Sequence, residues 1–116
     1  MLLGLDEARK LALLLLFAGT ACAIPAIIAG FLDLARLEPR ATTTAHRHML
    51  FMGASWTLYL AAVITRIDQW APVQEPSPLS ISFSVLGLVT MAVGGWYGGQ
   101  LVYHHGAGVR IFSNEK

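Results

Sequence analysis

LALLLLFAGTACAIPAIIAGFLDL, residues 11–34, is the stretch on which the fold turns. It carries no charge before Asp33 and lies between Arg9-Lys10 and Arg36. A helix needs ~20 apolar residues to cross the hydrocarbon of a bilayer, and this run supplies them. The opening also imitates a secretory signal, with Arg9-Lys10, then Leu11 to Phe17, then Ala21-Cys22-Ala23. The apolar run continues well past that point, which a cleaved signal does not require, so the segment reads as a retained span. Pro25 falls in mid-span, where its missing backbone donor is expected to kink the helix.

Working outward, a second apolar segment runs from about Ala45 to Arg66, and a third from Leu79 to about His105. Pro72, Pro76 and Pro78 cannot occupy a helix interior, so residues 67–78 are expected to form a loop. Trp70 in that loop fits the aromatic belt at a membrane interface. Residues 37–44 form a second short connection, in which Thr43 or Thr44 can cap the second helix. The expected fold class is all-α. A single domain over residues 1–116 forms an integral membrane bundle of three transmembrane helices, at about 8–36, 45–66 and 79–105.

Composition agrees. Hydrophobic residues make up 55% and charged residues 13%, a balance far from that of a soluble domain. The net charge of +1, with no basic patch interleaved with aromatics, gives nucleic acid no footprint. The lone Cys22 can form no internal disulfide. The absence of Cys-x-x-Cys-His excludes covalently attached c-type haem. There is no Walker, Rossmann or nucleophile-elbow pattern; Gly106-Ala107-Gly108 is too short and follows a helix.

Alternation of spans puts the N-terminus and the 67–78 loop on side one. The 37–44 loop and the C-terminal tail fall on side two. Arg36, Arg40, Arg47, Arg110 and Lys116 on side two outnumber Arg9, Lys10 and Arg66 on side one, which favours side two as cytoplasmic.

Helical spacing gathers Gly19, Cys22, Ala26, Gly30 and Asp33 on one face of the first span, and Gly87, Met91, Gly94, Gly98 and Val102 on one face of the third. Small residues let membrane helices approach closely, which is a sufficient account of these glycines; room for a flat cofactor is the other. The two readings stay open in the sequence.

Every histidine falls on side two. His46 and His48 open the second span, and His104 and His105 close the third, with Asp33 ending the first. A carboxylate at a helix C-terminus opposes the helix dipole, so Asp33 is expected to have a partner, either Arg36 or a histidine of a neighbouring helix. His46 and His48 point to roughly opposite sides of their helix. His48 continues into Met52, Ser55 and Tyr59, a partly polar stripe, and is the inward candidate; His46 continues into Met49, Gly53 and Trp56. On the third helix His105 lies above the Gly94/Gly98 face, and His104 above Tyr97 and Leu101. Two helices each bringing a histidine to one depth suit axial ligation of b-type haem, and equally a histidine–carboxylate metal site. Against this stands the plain reading of interfacial histidines, wet and unspecialised. Met52, one turn from His48, is a reserve ligand.

The stretch from Gly94 through Gly95-Trp96-Tyr97-Gly98-Gly99-Gln100-Leu101-Val102-Tyr103-His104-His105-Gly106-Ala107-Gly108 to Val109 resembles the signature of a bacterial membrane-protein family, domain of unknown function 2231. Gly30-Phe31-Leu32-Asp33 and His48-Met49-Leu50 support the resemblance. It implies recurrent polar positions at Asp33, His48 and His105, with His104 at a variable one. Two departures are visible. Met52 stands where the family often has Asn, and an opening helix of the family is missing, so the chain looks like the last three spans of four. Similar domains occur fused to Rieske or cytochrome c domains, which implies a redox setting.

The expected function is a membrane electron-transfer subunit with haem b. His48 and His105 would be its ligands, for iron or for another metal. Asp33 and Tyr103 would stand behind them, and Gly94 and Gly98 would make room. The implied setting is the bacterial cytoplasmic membrane, among other membrane subunits or as a homo-oligomer, with quinone or a redox protein as partner. The rival is a cofactor-free accessory subunit of a larger respiratory or photosynthetic complex. An independent enzyme is least expected, since no nucleophile–base pair is visible. Reporter fusions at the two ends test the topology: three spans put the ends on opposite sides of the membrane, and finding both on one side refutes it.

Overall fold

A computed structural model describes residues 4–67 and 75–108. Those residues form three helices and no strand: α1 Leu5–Leu34, α2 Thr42–Ile67 and α3 Pro78–Tyr103. At ~1.5 Å per residue each is about 39–45 Å long, enough for the ~30 Å hydrocarbon core. All three are apolar enough to cross it. Large side chains such as Leu14, Phe17, Leu86, Leu88 and Trp96 are exposed, as suits a surface whose surrounding solvent is lipid. Trp70 in the expected loop, and Arg110 and Lys116 used for sidedness, lie outside the described residues.

Local chemistry sets the helix ends. Ser77 caps α3 by accepting from the backbone N–H of Ser80 at 3.2 Å, with Pro78 in the first turn, where its missing donor costs nothing. The far end of α3 stops at Tyr103, two residues short of the sequence expectation. Gly106, at φ +63°, donates its N–H to the Val102 carbonyl at 3.1 Å, closing the helix with a left-handed cap that favours glycine. His104 and His105 therefore sit in the turn that leaves the helix. α2 starts at Thr42, earlier than expected, because Ala41 and Thr42 already bond back to Glu38 and Pro39. Thr43 and Thr44 thus lie inside the first turn, and the Thr44 hydroxyl is turned to another partner.

α2 and α3 pack intimately as an antiparallel pair, whereas α1 leans on α2 and makes no comparable approach to α3. The α2–α3 seam has a fixed register. The Ser80 hydroxyl donates to the Ala62 carbonyl at 3.4 Å, the Ser55 hydroxyl to the Gly87 carbonyl at 2.8 Å, and the His48 ring to the Gly94 carbonyl at 2.8 Å. Successive layers are seven residues apart on both helices, the repeat of a left-handed seam. Ala41, Ala45, Ser55, Ala62, Ser80, Gly87 and Gly94 are buried along or beside it.

The glycines are required by what stands over them. A Cβ on Gly94 would lie 2.8 Å from Met52 Sδ and 3.3 Å from the Met52 backbone nitrogen. On Gly87 it would meet the Tyr59 ring at 3.2 Å, and on Gly98 the His48 ring at 3.0 Å. Over Gly95 and Gly99 there is open space. At side one the Arg66 Nε donates to the Ser80 hydroxyl at 2.7 Å, closing the seam's far end. Replacing Gly94 by Leu should therefore lower the stability of the detergent-purified protein by about 1–3 kcal/mol, the usual scale of overpacking, whereas Gly95→Leu should be neutral. Thermal unfolding of the two variants checks this, and equal tolerance would refute the seam.

Candidate functional site

α1 stands off from the α2–α3 pair and leaves a groove of about 1660 Å³, walled by α1 and α2 and closed behind by α3. Its polar end is at side two, where Asp33, Arg36, His48 and Gly98 line it. The remainder is mostly apolar. Most hydroxyl and indole groups in its walls are committed: Thr20 to the Leu16 carbonyl, Ser55 to Gly87, Thr57 to Gly53, and Trp56 Nε1 to the Thr20 carbonyl at 3.0 Å; the Tyr59 hydroxyl makes no hydrogen bond among the described residues. The Trp56 bond joins α1 to α2 and lands one residue before Ala21, whose carbonyl loses its helical donor to Pro25. An ion pair from Arg9 to Glu75 at 2.8 Å holds the other end of α1, although an exposed pair contributes little.

His48 is half-buried, and the Nδ1–Cε1 edge of its ring lies over Gly98. The Gly94 carbonyl can only accept, so His48 Nδ1 must carry the proton of their 2.8 Å bond. In the neutral ring the lone pair is then on Nε2, which makes no hydrogen bond among the described residues. An Nδ1–H held by a backbone carbonyl, with Nε2 free, is the usual arrangement of a ligating histidine. The same geometry is also a layer of the helix seam, so packing alone accounts for its position.

His105 lies exposed in the turn after α3, with Nε2 3.3 Å from the Thr44 hydroxyl. Thr44 and His48 are one helical turn apart on the same face of α2, so the two histidines come to neighbouring levels. His46 bends to its own helix, 2.8 Å from the Thr42 carbonyl, and His104 packs edge-on to His105 with ring centres 6.1 Å apart. Asp33 and Arg36 both reach the groove, yet they form no ion pair. α1 ends at Leu34, and Arg36 lies in the turn that follows, its backbone N–H donating to the Asp33 carbonyl at 3.0 Å. Tyr103 is 91% exposed and does not line the groove, so it stands away from His48. Among the described residues no three of His, Cys, Asp and Glu are grouped as a metal site.

Three contributors escape a reading of the sequence. Trp56 sits on the stripe with Met49 and Gly53, and that stripe faces α1 rather than lipid. Ser80 and Arg66 extend the seam beyond the glycines. The seven-residue spacing of His48, Ser55 and Ala62 against Gly94, Gly87 and Ser80 is the signal that could have revealed it.

The fold and this polar end define a small multi-pass membrane protein. Residues 4–110 match the family described as Predicted membrane protein (DUF2231), and the chain belongs to it. No curated protein and no solved structure matches the chain. Nitrogen NMR of histidine-labelled protein should find a proton on His48 Nδ1, held by the Gly94 carbonyl; an Nδ1 without a proton would show that the Gly94 carbonyl is not its partner.

Proposed function

We propose that the protein is an electron-transfer subunit of the bacterial cytoplasmic membrane that holds b-type haem through histidines at side two. The observation that carries this reading is His48, with Nδ1–H held by the Gly94 carbonyl and Nε2 left unbonded beside an apolar groove. Haem needs only one or two protein ligands and an apolar slot, which suits a site where no three metal-binding side chains are grouped. Bound haem b would supply one-electron chemistry between ferric and ferrous iron.

The chain's own residues have separate tasks in this reading. Gly94 fixes the tautomer of His48, and Gly98 leaves the space its ring occupies. His105 would be the second ligand. When Nε2–H donates to the Thr44 hydroxyl, Nδ1 keeps the free lone pair. Asp33 and Arg36 place one negative and one positive charge at the same end, open to water and to a partner. Tyr103, exposed on the outer face, supports a contact with another subunit rather than with the haem.

A second reading is favoured by α1, which buries no residue of its own. A helix so exposed suits an accessory subunit that completes its packing inside a larger complex. A reduced-minus-oxidised spectrum of protein purified with its native partners separates the two. Haem ligation predicts a Soret band that is lost in His48→Ala and in His105→Ala and kept in His46→Ala and His104→Ala. A colourless, metal-free wild-type protein overturns the haem reading and leaves the accessory subunit.

A further inference from the structure

The groove is far longer than its polar end. Ala12 and Asp33 both line it, and at ~1.5 Å of rise per residue they stand ~32 Å apart along α1. It therefore follows nearly the whole hydrocarbon thickness of ~30 Å. A phospholipid chain anchored at one face reaches only the midplane, ~15 Å, and would fill half of it. The track suits one long, flexible apolar chain.

The polar groups say what the head of that chain must be. Asp33, Arg36 and His48 are gathered at side two, whereas farther along the groove Thr20, Ser55 and Trp56 are already bonded within the protein and only the Tyr59 hydroxyl makes no hydrogen bond among the described residues. Asp33 and Arg36 both line this end and form no ion pair with each other, so a head with a net charge is disfavoured: a net anion meets Asp33 and a net cation meets Arg36. They favour a neutral ring that can accept from Arg36 and, with hydroxyls, donate to Asp33. Open space lies over Gly19, Gly30 and Gly53, so the α1 and α2 walls leave the track clear.

We infer that the groove binds a long-chain isoprenoid quinone or quinol, its ring at Asp33 and Arg36 and its tail running along α1 toward Ala12. The inference rests on the electron-transfer reading, for which it supplies the substrate class. The ring would then lie at the same end as His48, on the side of the membrane that carries every histidine.

The test uses the full chain purified in mild detergent. Solvent extraction measures bound quinone and phospholipid per chain, and a spectrum of the same sample measures haem. Binding of a decyl-substituted benzoquinone is followed by quenching of Trp56, which lines the groove, with Trp70 and Trp96 replaced by Phe. Wild type should show saturable quenching. Gly30→Leu and Gly19→Leu, which fill open space without meeting a neighbour, should weaken it at least tenfold while leaving size-exclusion behaviour and helicity intact. Gly95→Leu, directed away from the groove, should leave it unchanged. Unchanged affinity in both groove-filling variants overturns the inference, as does displacement of the quinone by phospholipid alone. A wild-type protein that keeps the Soret band but binds no quinone refutes the groove assignment only. Quinone bound without any Soret band refutes the haem reading and leaves the quinone site standing.

Discussion

Three polar side chains that reach across the α2–α3 seam to backbone carbonyls fix the register on which the molecule depends. His48, Ser55 and Ser80 each donate to the opposite helix, one layer every two turns. In lipid there is no hydrophobic drive to bring helices together, so contact must come from close packing and from such bonds. Each bond contributes only ~0.6 kcal/mol on average, so no one of them accounts for the pair. The small residues opposite them do the larger part. With no Cβ at Gly87, Gly94 and Gly98, the Tyr59 ring, the Met52 backbone and the His48 ring come to van der Waals distance.

The seam also decides how His48 behaves. A free interfacial histidine would sample rotamers and both tautomers. Here the Nδ1–Cε1 edge of the ring packs over Gly98 and Nδ1 bonds to the Gly94 carbonyl, so one nitrogen is committed and the other is defined. Beside the seam, Phe51 and Tyr97 stack with ring centres 5.7 Å apart, and the Arg47 guanidinium lies 5.8 Å over Tyr97. These contacts stiffen the same end of the α2–α3 pair away from the groove.

α1 lives under a different constraint. Its small residues Ala12, Gly19 and Ala26, seven apart, line the groove instead of packing on α3, and it meets α2 through the Trp56 bond to the Thr20 carbonyl. That loose attachment creates the groove. Asp33 shows its effect: the helix dipole asks for a partner, yet none is formed within the described residues, and the carboxylate stays available where α1 ends.

The sequence alone determined the membrane class. Twenty or more apolar residues in a row have no other stable solvent, and the prolines at 72–78 and the polar linker at 37–44 separate the spans. It also put all four histidines at one end, since alternation of spans is a matter of counting. Helical spacing was enough to prefer His48 over His46, because that choice depends only on position along one helix. It misjudged His105 as a continuation of α3, since a left-handed cap at Gly106 ends the helix and redirects the ring to Thr44. Tyr103 fell outside the groove for a related reason: which face of α3 meets α2 is set by the register of the pair. Spacing along a chain fixes angles within a helix. Distances between helices, and therefore the tautomer of His48, the unpaired Asp33 and the existence of a groove, depend on which surfaces can approach, and only the packed structure decides that.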